Sequence, residues 1–148
     1  MNRPKTLHIT NAYHESSGGI RTFYRALLDA ANRCGRHVRL VVPGEHTAVE
    51  DVGRWGRIYY VRAPHAAVID RRYRLILPHR YLFGRRGDIW NILYDERPDL
   101  VEVCDKYSLV YLGGLIRTRW LPGRQRPAVV ALSCERMDDN VGTFLSRH

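Results

Sequence analysis

Residues 7–43 read LHITNAYHESSGGIRTFYRALLDAANRCGRHVRLVVP, and their pattern decides the fold. Leu7 and Ile9 frame a short apolar strand. A polar turn bearing Gly18 and Gly19 runs from Asn11, and an amphipathic helix follows it. Ile20, Phe23, Tyr24, Leu27, Leu28 and Ala31 fall at helical spacing and predict one buried stripe, leaving Arg21, Arg25, Asp29 and Arg33 toward water. Gly35 should end the helix, since glycine enters the left-handed cap conformation without a Cβ clash, and Arg33 in the last turn suits the negative end of the helix dipole. Val38, Leu40, Val41 and Val42 then predict a buried strand running to Pro43. Strand, turn, helix and strand form a βαβ opening, the usual first unit of a doubly wound α/β sheet.

Within that unit the Ser16-Ser17-Gly18-Gly19 turn admits two readings. Glycine lets a ligand approach the backbone, and the free N–H groups of a first helical turn attract phosphate or another anion. Alternatively, the glycines only permit helix and sheet to pack. The spacing matches neither the dinucleotide fingerprint nor a P-loop, because no third Gly and no Gly-Lys-Ser/Thr follow. A nicotinamide-binding reading would leave Glu45 as the one nearby acid for the ribose, and no cofactor is expected.

With 148 residues, 45% of them hydrophobic and 26% charged, the chain predicts one globular domain over 1–148. No apolar run reaches membrane-spanning length, and the basic start followed by a short segment containing His8 does not resemble a signal peptide. A cytoplasmic location is therefore expected. Cys34, Cys104 and Cys134 are widely spaced and lack any CxxC, which predicts buried free thiols and neither disulfides nor zinc. His8 and His14 flank the first loop without a third ligand at metal-binding spacing, so no metal site is expected. The net charge of +9 comes almost wholly from Arg and predicts affinity for polyanions such as acidic lipid surfaces or phosphorylated substrates.

Farther along, residues 44–56 read as a loop anchored by Val49 and Val52. Ile58 to Val61 predict a third strand, closed by Pro64. Residues 66–87 are the most basic part, with Arg71, Arg72, Arg74, Arg80, Arg85 and Arg86 interleaved among aromatic and aliphatic side chains. This pattern suits an anionic membrane surface, contacted through Arg71, Arg72, Arg85 and Arg86. It also suits a helix that packs Leu75, Leu82 and Phe83 into the core and leaves its arginines solvated, with Pro78 dividing the segment. No nucleic-acid-binding signature accompanies these residues, and no nucleic-acid partner is expected. Asp88 reads as the N-cap of a helix bearing Ile89, Ile92 and Leu93 and ended by Pro98. Leu100 to Val103 form the fourth strand, with Asp105 at its carboxyl end. Leu109, Leu112 and Ile116 mark the next buried helical face. Ala128 to Leu132 form the fifth strand, with Glu135, Arg136 and Asp138 beyond it, where open α/β sheets place ligands.

The Gly18-Gly19-Ile20 turn, the run Arg97-Pro98-Asp99-Leu100-Val101-Glu102-Val103 with Asp105 after it, and Glu135-Arg136-Met137-Asp138 together resemble the N-terminal, acceptor-side domain of family 4 glycosyltransferases, which have GT-B architecture. The resemblance covers essentially the whole chain. It implies an acceptor-binding half of a retaining glycosyltransferase. The partners implied are a nucleotide-sugar donor, bound only with a second domain, and a sugar or glycolipid acceptor. Gly18, Gly19, Arg21, Asp105, Glu135, Arg136 and Asp138 are the implied donor-phosphate or acceptor contacts, and no catalytic residue is assigned. Asp105 and Glu135 have competing structural roles, Asp105 as cap of the following helix and Glu135 as partner of Arg136. Cys134 stands where the family form has His, so no imidazole role carries over there. The donor-binding domain is expected to be absent from these 148 residues, and the chain alone inactive.

The expected fold is a Rossmann-like doubly wound domain with a parallel sheet in the order 3-2-1-4-5, which places Gly18-Gly19 and Asp105 on one cleft. The reading from a different functional class is a non-catalytic basic module that binds nucleic acid or an anionic partner.

Overall fold

Leu7 and Ile9 alternate along the first strand and so face one side together, and in the computed structural model the main sheet has a hydrophobic layer on each face, Leu7 and Ile9 belonging to one of them. The structure describes residues 3–15, 17–66, 70–82, 87–105, 108–118 and 126–133. Its elements run β1 (Lys5–Thr10), α1 (Gly18–Cys34), β2 (His37–Gly44), β3 (Ala48–Val52), β4 (Gly56–Arg62), β5 (His65–Ala66), β6 (Asp70–Arg74), α2 (His79–Leu82), α3 (Asp88–Glu96), β7 (Leu100–Cys104), α4 (Val110–Arg117) and β8 (Ala128–Ala131). The main sheet has the order β3-β4-β2-β1-β7-β8. β1 pairs in parallel with both β2 and β7, β2 with β4, and β7 with β8. Counting only the five strands expected from the sequence, this is the order 3-2-1-4-5.

One core layer joins Leu7, Ile9, Val101 and Val103 to Ile89, Trp90 and Leu93 of α3 and to Leu112 and Ile116 of α4. The other joins Tyr24, Leu28 and Ala31 of α1 to Val38, Leu40, Val42 and Ile58. β2 is buried from Val38 to Pro43, as a central parallel strand covered on both sides should be. Burying each large side chain contributes about 1.5–3 kcal/mol relative to exposure.

α1 ends where expected, at Gly35 with φ 62°, whose N–H donates to the Ala31 carbonyl. Its buried stripe is narrower than the periodicity implied. Ile20 and Leu27 are half-buried, and Phe23 is 49% exposed with its ring edge against Tyr24. The helix rests on β2 and β4, so Phe23 lies on the flank turned away from them. Arg21 is a second departure, half-buried where water exposure was expected. Its guanidinium carbon lies 5.7 Å from the centroid of the Tyr13 ring.

Four further expectations are corrected. Residues 48–52 are not loop but the antiparallel edge strand β3, tied across to β4 by Arg57 Nε to Asp51 Oδ1 at 2.6 Å and Tyr60 Oη to Glu50 Oε2 at 2.7 Å. The basic segment is not one helix. β5 and β6 form a two-stranded ribbon, Arg71 and Arg72 are exposed on β6, and among the described residues of the segment only His79–Leu82 is helical. Ile76 and Tyr81 carry that segment's burial, while Leu75 and Leu82 are half-buried; Phe83, Arg85 and Arg86 lie outside the described residues. Gly87, not Asp88, is the N-cap of α3, and the Asp88 carboxylate accepts a bond from Thr47 Oγ1 at 3.1 Å. Finally, Cys104 is buried and forms no disulfide, as expected, but Cys34 is exposed.

Opposite the carboxyl ends of the strands, Glu96 closes α3 among four donors. It accepts bonds from Arg39 Nε at 2.7 Å, Lys5 Nζ at 2.8 Å and Tyr59 Oη at 2.5 Å, with Arg57 Nη1 4.0 Å away. Burial pushes this carboxyl up, but the Lys5 and Tyr59 hydrogen bonds and the Arg39 charge outweigh it and hold it at about 2.

Candidate functional site

β2 leaves β1 on one side and β7 lies on the other, so the chain reverses its order beside the carboxyl end of β1. Open α/β sheets form their ligand crevices at such a point. Here a cleft of about 820 Å³ opens there, lined by the end of β1, the first turn of α1, the β7 and β8 ends, Ala66, and a strap from Tyr73 to Pro78. Gly18, Gly19 and Asp105 all line it.

The glycine turn is open on the cleft side. A Cβ built at Gly18 or Gly19 meets nothing within 4 Å. Ser17 is the N-cap of α1, yet its hydroxyl serves the turn instead of the helix, accepting from His14 N at 3.0 Å and donating to the His14 carbonyl at 2.9 Å. No acidic side chain occupies the first turn. Among the described residues, the first N–H groups of α1 therefore have no side-chain cap from Ser17 and no acidic residue in their own turn, an arrangement that attracts an anion.

The cleft floor is a hydrogen-bonded node centred on Asn11, a buried side chain whose importance the turn-like sequence around it concealed. Asn11 Nδ2 donates to Asp105 Oδ2 at 2.6 Å and to Ser108 Oγ at 2.8 Å, while its Oδ1 accepts from the Ile76 N–H at 2.8 Å. Ser108 Oγ lies 2.7 Å from Asp105 Oδ2 and 3.0 Å from the Ile76 carbonyl, so its one proton serves either. Asp105 Oδ1 accepts from the Ser108 N–H at 3.3 Å, a turn bond and not the expected cap of the next helix: α4 has Leu109 as its N-cap, with no side-chain cap bond. Tyr81 Oη donates to the Ser108 carbonyl, and burial pushes that phenol up to about 12. Both main-chain groups of Ile76 are thus held by side chains of the sheet edge.

The strap supplies a largely apolar wall through Tyr73, Leu75, Leu77 and Pro78, faced by Ile20 and Leu132. The rings of His14 and Tyr73 meet edge-on with centroids 3.9 Å apart, joining the glycine turn to the strap. The site is amphipathic: polar groups and open N–H donors at its floor, hydrocarbon along its side.

Arg21 does not line this cleft; it lies over Tyr13, and its Nε is buried without a hydrogen-bond partner among the described residues. Glu135, Arg136 and Asp138, with Cys134, lie outside the described residues. His8 and His14 do not converge: His8 Nδ1 is 3.0 Å from Glu102 Oε1 and His8 Nε2 is 3.0 Å from Thr6 Oγ1, beneath α1. Tyr24 Oη donates to the same Glu102 oxygen at 2.9 Å, and the His8 hydrogen bond is the main influence holding the Glu102 carboxyl down. Among the described residues no group of three or more His, Cys, Asp or Glu could hold a metal ion, and no helix is long and apolar enough to cross a membrane.

Against known proteins, the chain is 30% identical over 144 residues to a protein of Mycobacterium tuberculosis (strain ATCC 25177 / H37Ra) described as GDP-mannose-dependent alpha-(1-6)-phosphatidylinositol dimannoside mannosyltransferase. The same identity and description hold for the protein of the strain CDC 1551 / Oshkosh. The alignment covers 97% of this chain and 34% of each relative, so the chain spans about a third of the length of the curated relatives it matches. No family model matches the chain, and no solved structure matches it.

Proposed function

We propose, on the premise that this chain is a homologue of family 4 mannosyltransferases, that residues 1–148 are the acceptor-side domain of a retaining glycosyltransferase that uses a nucleotide-sugar donor. The observation that carries this reading is the cleft at the carboxyl edge of the sheet, where the open Gly18-Gly19 turn and the Asn11–Asp105–Ser108 node face one space. Donor binding falls to the part of the relatives that this chain does not cover.

In this reading the N–H groups at Gly18 and Gly19 receive phosphate oxygens of the donor or acceptor. Asp105 fixes the floor and offers a carboxylate to sugar hydroxyls, and Glu135, Arg136 and Asp138 contribute from beyond β8. The hydrocarbon wall from Tyr73 to Pro78 fits a glycolipid acceptor, with GDP-mannose the donor to test first. Arg71 and Arg72, exposed on β6, together with Arg85 and Arg86, are the side chains that would contact an anionic bilayer, where each basic residue contributes about 1 kcal/mol.

Positioning donor and acceptor together contributes on the order of 7–11 kcal/mol toward lowering a transfer barrier. One wall of a cleft does not supply it, so these 148 residues alone should not turn over. Incubating them with GDP-mannose and a mannosylated phosphoinositide, and following GDP release together with amide shifts, tests the reading. Shifts at Ala12, Gly18, Gly19 and Ser108 without release support it. Acceptor-dependent release would show a complete enzyme, and shifts confined to other surfaces would overturn the site.

A further inference from the structure

At the end of the sheet opposite the cleft, two glycine turns build a basic platform around one indole. Gly35 ends α1, and Gly53, with φ 68°, turns β3 into β4, placing Arg36 and Arg54 beside His37 and Trp55. Arg3 and Arg54 each hold their guanidinium carbon 5.3 Å from the Trp55 ring centroid, and the His37 ring stands edge-on to it at 4.7 Å. The platform is fixed from below. Arg3 Nη1 donates to the Gly35 carbonyl at 2.7 Å. Asn32 Oδ1 accepts from the Trp55 N–H at 3.0 Å, and its Nδ2 donates to the Val52 carbonyl at 2.7 Å.

Charge at this edge is only partly balanced. Glu96 answers Lys5 and Arg39, and Asp51 answers Arg57. Arg3, Arg33, Arg36 and Arg54 are exposed, and among the described residues none has a carboxylate within ion-pair reach. The local field shows on His37, whose protonation is disfavoured first by burial and then by Arg39 and Lys5. Two guanidiniums beside a half-buried indole, Arg3 and Arg54, with Arg33 and Arg36 exposed at the same end of the sheet, make a surface suited to negative charge.

We propose that this platform docks an acidic segment of a partner protein, with Trp55 as the central anchor and Arg3, Arg36 and Arg54 pairing with its carboxylates. Trp and Arg are the residue types that dominate binding energy in protein interfaces, and here the Trp55 backbone and the Arg3 guanidinium are already held by hydrogen bonds before binding. A lipid surface fits less well. β1 separates Arg3 from the cleft by roughly 20 Å, so a bilayer held at Trp55 would leave the cleft and the exposed Arg71 and Arg72 facing away from it.

The test is a ¹⁵N-labelled titration of the chain with a synthetic peptide carrying a run of Asp and Glu, repeated with tripolyphosphate and with vesicles of phosphatidylglycerol and phosphatidylcholine. Shifts of the Trp55 indole and of the Gly35 and Gly53 amides are expected with peptide. The double variant Arg36→Gln, Arg54→Gln, neither of whose side chains donates a structural hydrogen bond among the described residues, should weaken binding about tenfold. Arg71→Gln, which removes the same kind of charge elsewhere, should leave affinity unchanged. Equal weakening by Arg71→Gln, or peptide shifts away from Trp55, would overturn the proposal. So would tripolyphosphate or vesicles moving these signals while peptide does not.

Discussion

Asn11 Nδ2 stands 2.6 Å from Asp105 Oδ2, so the end of β1 and the end of β7 are joined at the cleft floor by one amide–carboxylate bond. Because the same Asn11 side chain also receives the Ile76 N–H, a single residue ties two strand ends to the strap.

Asn11→Ala should therefore cost about 1–3 kcal/mol, since the buried Ile76 N–H loses its acceptor. Asn11→Asp should cost more, because it sets a second carboxylate against Asp105. Urea unfolding of the two variants gives the order, and equal stability of Asn11→Asp and the parent would refute it.

Gly19→Ala separates folding from binding. The added Cβ meets no atom within 4 Å, and alanine in the first helical turn should leave stability unchanged or raise it by up to about 1 kcal/mol. The methyl group nevertheless occupies the open side of the turn, so phosphate-bearing ligands of the cleft should bind more weakly. Calorimetric titration beside a melting curve checks both halves.

Glu96 predicts an acid limb. Its carboxyl is held at about 2 in the folded chain against an ordinary value of 4.5, so the folded state binds fewer protons between these values. Its stabilisation, about 3 kcal/mol, is fully present above pH 4.5 and is lost as pH falls toward 2. Glu96→Gln should flatten that limb and destabilise the chain at neutral pH by about 3–5 kcal/mol, because Arg39 and Lys5 are left beside a neutral amide. Denaturant midpoints of both chains across this pH range are the measurement.

Gly53→Ala should destabilise more than Gly35→Ala, although both glycines have positive φ. A Cβ at Gly35 meets the guanidinium of the exposed Arg3, which can swing aside at the loss of its one bond to the Gly35 carbonyl, whereas at Gly53 it meets the Asn32 amide, fixed by hydrogen bonds to α1 and to residues 52 and 55. The shared conformational cost is about 1–2 kcal/mol, and only Gly53→Ala adds the loss of Asn32 bonds. Similar melting temperatures for the two variants would contradict this.

The βαβ frame and the strand order were legible because Leu7, Ile9, Val38, Leu40, Val101 and Val103 are buried by a sheet covered on both faces, which writes itself as apolar runs. β3 was not legible for the converse reason. An edge strand bearing Glu50 and Asp51 buries little, and its partners, Tyr60 and Arg57, are visible only across the ladder. The strap misled in another way: Arg71, Arg72 and Arg74 among aromatic residues look helical and surface-seeking, but long-range bonds such as Arg74 Nη1 to the Ala63 carbonyl at 2.9 Å settle an extended path. Asn11 reads locally as a turn residue. Its role depends on Ile76 and Asp105, far away in sequence, and no local pattern announces it.

The strap is held at Ile76 through its peptide groups, while the groups that hold it, Asn11 and Ser108, belong to the sheet edge. Attachment at Ile76 is thereby indifferent to what Tyr73, Leu75 and Leu77 present to the cleft, although Tyr73 adds its own ring contact with His14. Substitutions at these three positions can remodel the apolar wall while the anchoring bonds persist, which makes the strap a place where ligand preference can diverge between descendants of one ancestor without refounding the fold.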